Sequence, residues 1–461
     1  MAVSVSRKIA FDVLHRVEAE GAYASDVLHA ELDVGPAAAK LKPEDAALAT
    51  ELTMGVLRWR RLLDFLIERH TKKPAERLDL PVAIALRTGA YQLRFLEKIP
   101  AHAAVNESVE LVKRARKSSA APLVNAVLRK IAADAKSPAD KFLLPGMSAA
   151  ERLAILHSHP TWMVKRWLAR FGEPQTIALL EANNRAPRLS LSIHAPEQRD
   201  ETIRALEKSG LRIDSGALLQ SALASSGGSP ARTHAFRAGQ ISIQDEASQA
   251  IPLLLGVRAG DRVLDLCAAP GGKTATLARA AGKGGTVVAA DLHAHRLRAM
   301  AAQLKRLGLQ NVQLIQLDAT NALPLREAFD KILVDAPCSG TGTLARHPEI
   351  RWRLRPEQLP ESREQQKLML ANALERLASG GRLVYSTCSI EPEENEEVIA
   401  HFLNSSSTIR PVPAAEAART LAPHLAPHVD ASDFFAADGF FRTAPCAHRT
   451  DGFFAALLEK T

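Results

Sequence analysis

From Ser6 to about Ala135 the apolar positions recur at intervals of three and four, as one buried helix face requires. Ile9, Val13, Leu14 and Val17 form one stripe, continued by Leu28 and Leu32. Leu52, Val56, Leu57, Leu63 and Ile67 form a second, and Ile84, Leu86, Tyr91, Leu93 and Leu96 a third. Gly35-Pro36, Lys42-Pro43 and Ile99-Pro100 punctuate them as turns. The pattern predicts an all-helical bundle over 1–140.

A proline-bearing linker, Ser137 to Gly146, follows. Residues 147–238 mix short helical stretches with strand-like runs, which predicts a small α+β subdomain. Arg188 to Ile193 alternates apolar and polar residues as a half-buried strand does, and Ser225 to Pro230 reads as a Gly/Ser-rich turn. Trp162 and Trp167 lie on a helical pattern and are expected in a core rather than as base-stacking platforms.

From Gly239 the period switches to strand–helix alternation. Gln240 to Ile243, Arg262 to Leu266, Thr286 to Ala290, Val312 to Gln316, Lys331 to Val334 and Arg382 to Ser386 are short apolar runs. Helical patterns intervene at Thr274 to Ala281, Ala294 to Leu307, Glu357 to Leu377 and Glu393 to Leu403. Repeated βα units predict a doubly wound, mostly parallel sheet over 239–461. Asn404 to Ala437 has little pattern and is expected on the surface, whereas Gly439 to Arg442 and Phe453 to Leu458 suit a closing strand pair.

With 461 residues the chain exceeds one ordinary core, in keeping with three parts. A net charge of +8 favours a polyanionic partner such as nucleic acid. The helical part concentrates that charge in Arg58, Arg60 and Arg61, in Lys72 and Lys73, and in Lys113-Arg-Ala-Arg-Lys117. Four cysteines, Cys267, Cys338, Cys388 and Cys446, are too few for a disulfide scaffold and too far apart for a zinc pair. A reducing cytoplasm, no metal and a monomer are expected. The N-terminus has no signal-peptide core, and no apolar run is long enough for a membrane span.

Two constellations carry chemistry. The first is Val263-Leu-Asp-Leu-Cys-Ala-Ala-Pro-Gly-Gly-Lys273, a strand entering a small-residue loop from which a helix departs. Such a loop lets a ligand approach backbone at a helix N-terminus. Its spacing is neither that of a Walker loop nor that of a dinucleotide fingerprint. The next two strands end at Asp291 and Asp318, acids suited to a ribose and to an adenine amino group. The set fits an adenosine ligand without a pyrophosphate, and S-adenosylmethionine fits best.

The second is a pair of thiols. Cys338 follows Asp335-Ala-Pro at one strand end, and Cys388 sits in Ser386-Thr-Cys-Ser389 at the end of the following strand. Adjacent strands lie about 5 Å apart, so both thiols can face one small cavity. Carbon 5 of cytosine does not attack a methyl donor unaided. A thiolate adding to carbon 6 makes it nucleophilic, and the adduct must then be resolved. Asp335 is the natural acid to hold a proton for ring nitrogen 3.

These residues resemble the RNA cytosine-5 methyltransferases. The likeness lies in Cys267-Ala-Ala-Pro-Gly-Gly-Lys273, Asp335-Ala-Pro-Cys-Ser-Gly-Thr-Gly342, Arg346-His-Pro-Glu349 and Ser386-Thr-Cys-Ser-Ile390. The resemblance implies a Rossmann-type fold and S-adenosylmethionine held by Cys267, Ala268, Ala269, Pro270, Gly271, Gly272, Lys273, Asp291, Asp318 and Asp335. It also implies that Cys388 is the nucleophile and that Cys338 assists product release. Pro100-Ala-His-Ala-Ala-Val-Asn-Glu-Ser-Val109 and Val124-Asn-Ala-Val-Leu-Arg129 resemble the NusB-like RNA-binding domain. That domain precedes the catalytic part in the bacterial Sun/RsmB type, which implies one cytosine of 16S ribosomal RNA as substrate.

Three alternatives compete with this assignment. A DNA cytosine-5 methyltransferase uses a single Pro-Cys nucleophile, which leaves Cys388 unexplained. A non-catalytic RNA-binding, antitermination-like factor leaves the loop and both thiols without purpose. A transfer-RNA methyltransferase of the same chemistry differs only in lacking a reason for the front domain.

Overall fold

The computed structural model describes residues 3–34 and 41–461, so the expected Gly35-Pro36 turn lies outside the described residues. The chain divides into two compact units, Met1–Ala186 with Leu344–Arg353, and Pro187–Thr343 with Leu354–Thr461.

The first unit is helical. Val5–Glu20, Pro43–Thr71, Leu80–Phe95, Ala101–Arg114 and Ala121–Asp134 bury the apolar stripes against one another, Leu93 and Leu96 only partly. Arg87 lies inside this core at 2% exposure. Its Nε donates to Asp64 Oδ1 at 2.6 Å and its Nη1 to Glu18 Oε1 at 2.9 Å, so a charge without water is met by two carboxylates.

The basic clusters separate into two kinds. Arg58 is buried and donates to the Ala345 carbonyl at 3.0 Å, and Arg60 sits 3.5 Å from Glu18. Both hold the unit together, although the sequence groups them with the basic clusters that favour a polyanionic partner. Lys72, Lys73, Lys113, Arg114 and Arg116 are exposed. Trp167 is fully buried, as expected, with its ring edge-on to His159.

The division of the chain differs from boundaries at 140 and 147. Helix Thr161–Asn184 and the segment Leu344–Arg353 both belong to the first unit. The reason is Arg351, which has no exposed surface. It donates to the Ser158 and Asn183 carbonyls at 3.1 and 3.0 Å and to Asn184 Oδ1 at 2.8 Å. A guanidinium out of water needs such acceptors, and this helix and its N-terminal approach supply them.

The second unit holds two sheets. In the smaller, β1 (Leu189–Ile193), β2 (Arg212–Ser215), β3 (Ala222–Ser226) and β4 (Ile241–Ile243) run in the order β2-β3-β1-β4, all antiparallel. The larger contains β5 (Arg262–Leu266), β6 (Thr286–Asp291), β7 (Val312–Gln316), β8 (Phe329–Asp335), β9 (Leu377–Thr387), β10 (Ile409–Pro411), β11 (Phe441–Thr443) and β12 (Phe453–Lys460). Its order is β10-β12-β9-β8-β5-β6-β7, with β11 on β12.

Strands β7, β6, β5, β8 and β9 are mutually parallel, and the pairings of β12 are antiparallel. The sheet is thus doubly wound and mostly parallel. Both faces are covered, which explains the continuous apolar runs. Val263, Val287 and Leu333 pack on one side; Leu264, Ala290, Ile332 and Val334 pack on the other. After β5 the chain steps outward through β6 and β7, then returns to β8 on the opposite side of β5. Between β5 and β8 lies the switch point, where ligands of such sheets bind.

One expectation is overturned. Asn404 to Ala437 is not a surface stretch: Ile409, Val412, Ala417, Leu421, Leu425 and Phe434 are all buried. They enter the core from β10, from the two-turn helix Ala414–Leu421, and from short 3-10 turns and the loop residues beside them. No helix of the described residues is long and apolar enough to cross a membrane.

Candidate active site

Strand β5 ends in the loop Cys267 to Gly271, and helix Gly272–Ala281 leaves it. The turn is tight. Gly271 has φ +99°, and a Cβ there would stand 2.8 Å from Met300 Cγ. The Ala268 N–H donates to the Ala290 carbonyl of β6, and the Gly271 N–H to the Ala268 carbonyl.

Beside this loop is a cleft of about 160 Å³. The expected residues Cys267, Ala268, Ala269, Pro270, Gly272, Lys273 and Asp335 line it. Gln244, Ser248, Asp265 and Gln303 line it too, and none of these four was among the expected site residues. Asp265 was detectable as an acid inside the apolar run Val263 to Leu266; the glutamines carried no signal.

Asp265 is fully buried, and Thr274 Oγ1 donates to its Oδ2 at 2.6 Å. Its Oδ1 has no hydrogen-bond partner among the described residues. Burial pushes this carboxyl up to about 7, with the nearby Asp335 adding to the rise and Thr274 opposing it. Burial likewise pushes the Cys267 thiol up, so it stays protonated. An orphaned carboxylate oxygen in a cleft floored by small residues fits a ligand that is slender and carries a cation.

Three of the residues expected to hold the cofactor are not on the cleft wall. Gly271 shapes the loop behind it. The buried Asp291 accepts from the Ala269 N–H at 3.2 Å and the His293 N–H at 3.0 Å. Arg296 stands 3.3 Å from the same carboxylate. Asp318 closes its own turn, accepting from the Thr320 N–H at 2.9 Å and Asn321 Nδ2 at 3.0 Å. The hydrogen bonds from Thr320 lower its pKa.

Asp335, at the end of β8, joins the cleft to the thiols. Lys273 Nζ donates to its Oδ2 at 2.7 Å, and Ser386 Oγ of β9 to its Oδ1 at 2.8 Å. The register pairs Asp335 with Ser386 directly across the two strands. Beyond them the strand-end loops bring Cys338 Sγ to 3.4 Å from Cys388 Sγ. Both cysteines are free thiols and partly exposed. The hydrogen bond with Cys388 and burial push the Cys338 thiol well up, with the Glu394 charge adding.

The two loops lie close together because Gly342 lets them. Its N–H donates to the Cys388 carbonyl at 2.9 Å, and a Cβ there would strike the Gly452 carbonyl oxygen. The arrangement can hold a planar ring beside a sulfur nucleophile, an acid–lysine pair and a second, protonated thiol.

Comparisons with known proteins agree over the length of the chain. Residues 252–459 match the family described as 16S rRNA methyltransferase RsmB/F, residues 4–133 the NusB family, and residues 159–228 a ferredoxin-like domain described as Methyltr_RsmF/B-like. The probable ribosomal RNA small subunit methyltransferase B of Bacillus subtilis (strain 168) is 32% identical over 457 residues, 98% of each chain. The ribosomal RNA small subunit methyltransferase B of Escherichia coli O127:H6 is 33% identical over 460 residues, again 98% of each. Among solved structures, that of PH0851 superposes with a TM-score of 0.80 at 26% identity, covering 100% of both chains. A methyltransferase homolog from Pyrococcus horikoshii gives 0.57 at 29% identity, covering 69% of this chain and 100% of its own.

Proposed function

This chain belongs to the 16S rRNA methyltransferase RsmB/F family, and from that premise we propose that it methylates carbon 5 of one cytosine of 16S ribosomal RNA through a covalent cysteine adduct. The observation that carries the covalent route is the pair of thiols 3.4 Å apart at neighbouring strand ends. A methyltransferase acting on a nucleophilic atom needs no thiol at its site; one acting on an unactivated ring carbon needs one sulfur nucleophile, and a second thiol beside it suits release of the adduct.

Cys388, once its thiol proton has passed to water, adds Sγ to carbon 6; the carbon 5–carbon 6 π pair shifts to carbon 4–carbon 5 and the carbon 4–nitrogen 3 π pair to nitrogen 3. Asp335, bridged to Lys273, meets the nitrogen 3 edge, and the Lys273 ammonium is the source of the proton shared there. The cleft residues Cys267 to Lys273, with Asp265 facing a cationic group, suit S-adenosylmethionine. When bound there, it supplies the methyl group that carbon 5 takes up. Asp291 and Asp318 are assigned its ribose and adenine sides, their carboxylates reoriented from the turns they now close.

Resolution of the adduct needs the carbon 5 proton to leave to water, its bond pair forming the carbon 5–carbon 6 double bond. The carbon 6–sulfur pair then returns to Cys388. Cys338, held as a thiol, donates a hydrogen bond to that departing sulfur. None of these steps calls for a metal ion, and the reading takes the enzyme as a cytoplasmic monomer. It also assigns RNA binding, connection and catalysis to 1–140, 147–238 and 239–461, a division by role that does not follow the two compact units.

The test is methyl transfer from labelled S-adenosylmethionine to deproteinised small-subunit RNA and to bulk transfer RNA, both from cells lacking the protein. Label confined to one cytosine of the 16S RNA is the expected result. Label on transfer RNA alone would keep the chemistry and overturn the substrate.

A further inference from the structure

The loop that follows β9 carries an acid that the mechanism above does not use. Glu394 ends the 3-10 turn Pro392–Glu394 and has no exposed surface. Its carboxylate accepts from the Ser339 N–H at 2.7 Å and from Ser339 Oγ. Ser339 Oγ in turn stands 3.1 Å from Ser389 Oγ, and Gln366 Nε2 donates to the same carboxylate at 3.5 Å. Ser339 is the residue after Cys338, and Ser389 the residue after Cys388. One buried carboxylate therefore grips the neighbour of Cys338 and, through it, the neighbour of Cys388.

The grip is itself fixed. Tyr385 donates its hydroxyl to the Glu394 carbonyl at 2.6 Å, and Gln366 Nε2 donates to the Pro337 carbonyl at 2.9 Å, one residue before Cys338. Asn395 Nδ2 donates to the Ser389 carbonyl at 2.9 Å. Burying an acid with no cation against it is unfavourable, and here burial raises its pKa while the serine donors oppose that rise. An apolar side chain would fill this core position with no such penalty. The acid is favoured here only if the geometry of both serines matters.

We propose that Glu394 is a positioning residue for the two-thiol reaction: by anchoring Ser339, whose hydroxyl meets that of Ser389, it keeps Cys338 within hydrogen-bond reach of the Cys388 sulfur while the product adduct resolves. The inference rests on the covalent reading above. It assigns Glu394 to release rather than to attack, because Cys388 reaches carbon 6 on its own strand end, whereas Cys338 depends on the Ser339 loop for its approach.

The experiment compares Glu394→Gln and Ser339→Ala with the unsubstituted protein, using 16S RNA and labelled S-adenosylmethionine. Single-turnover methyl transfer should stay within about threefold, while multiple turnover falls about tenfold or more and RNA accumulates on the protein in a denaturing gel. The alkaline limb of turnover should also move to lower pH in Glu394→Gln, because the buried negative charge near Cys338 is gone. Ser339→Ala removes one hydroxyl and decides the matter if Glu394→Gln does not fold. Normal multiple turnover, or an equal loss of single and multiple turnover without accumulated adduct, would overturn the proposal. Failure of the covalent reading itself shows differently, as no adduct in any variant and none in Cys338→Ala.

Discussion

Cys338 Sγ lies 3.4 Å from Cys388 Sγ, a hydrogen-bonding distance and well beyond the roughly 2.05 Å of a disulfide. The pair is set by adjacency of β8 and β9, not by local sequence, since 50 residues separate the two. Cys388 does not line the cofactor cleft, so its two expected effects can be separated. Cys388→Ala should lower methyl transfer by about 10³-fold or more and leave S-adenosylmethionine affinity unchanged. Rapid-quench kinetics and titration calorimetry check the two halves; an active Cys388→Ala would remove the nucleophile assignment.

Asp265 gives the cleft a pH dependence whose sign follows from its raised pKa, about 7 against about 3.9 in an unfolded chain. Its contribution to stability is fully present below about pH 4 and is lost as pH rises through about 7, at up to roughly 1.4 kcal/mol per pH unit. A cationic ligand favours the ionised form, so S-adenosylmethionine affinity should rise severalfold from about pH 6 to about pH 8. Asp265→Asn should flatten both curves. Melting temperature and calorimetric affinity across that range are the readouts, and an unchanged slope in the variant would count against the role.

The exposed lysines of the helical unit should carry RNA affinity, and the arginines engaged inside the unit should not. Lys72→Ala with Lys73→Ala should reduce the slope of log affinity against log salt by about 0.7–0.9 for each phosphate that is no longer neutralised. Arg60→Ala should instead lower the melting temperature, because it leaves Glu18 and Asp64 short of a partner. Filter binding at several salt concentrations distinguishes these outcomes. An unchanged slope in the double lysine variant would shift the RNA-binding surface elsewhere.

The sheet was legible because β5, β6 and β8 are apolar on both faces and each ends in an acid or a small-residue loop. The helical stripes were legible for the same reason, one period repeated over long segments. Ile409 to Phe434 was not: many of its buried residues hang on a three-residue strand and 3-10 turns, which carry no period. Charge misled where burial decided. Arg58 and Lys72 look alike in a sequence, yet one donates to a carbonyl inside the unit and the other faces solvent. Within the site, the loop and both thiols were legible because their residue types are chemically pointed. Glu394 was not, since it stands among the acids Glu391, Glu393, Glu396 and Glu397, and only the fold shows which one meets Ser339.

The adduct is the step on which the two-thiol mechanism rests. The most direct measurement is a denaturing gel of Cys338→Ala after incubation with labelled 16S RNA and S-adenosylmethionine, beside the double variant that also carries Cys388→Ala. Labelled RNA migrating with Cys338→Ala, and free in the double variant, is the expected result. Free RNA in both lanes, with Cys338→Ala turning over normally, would contradict the two-thiol mechanism.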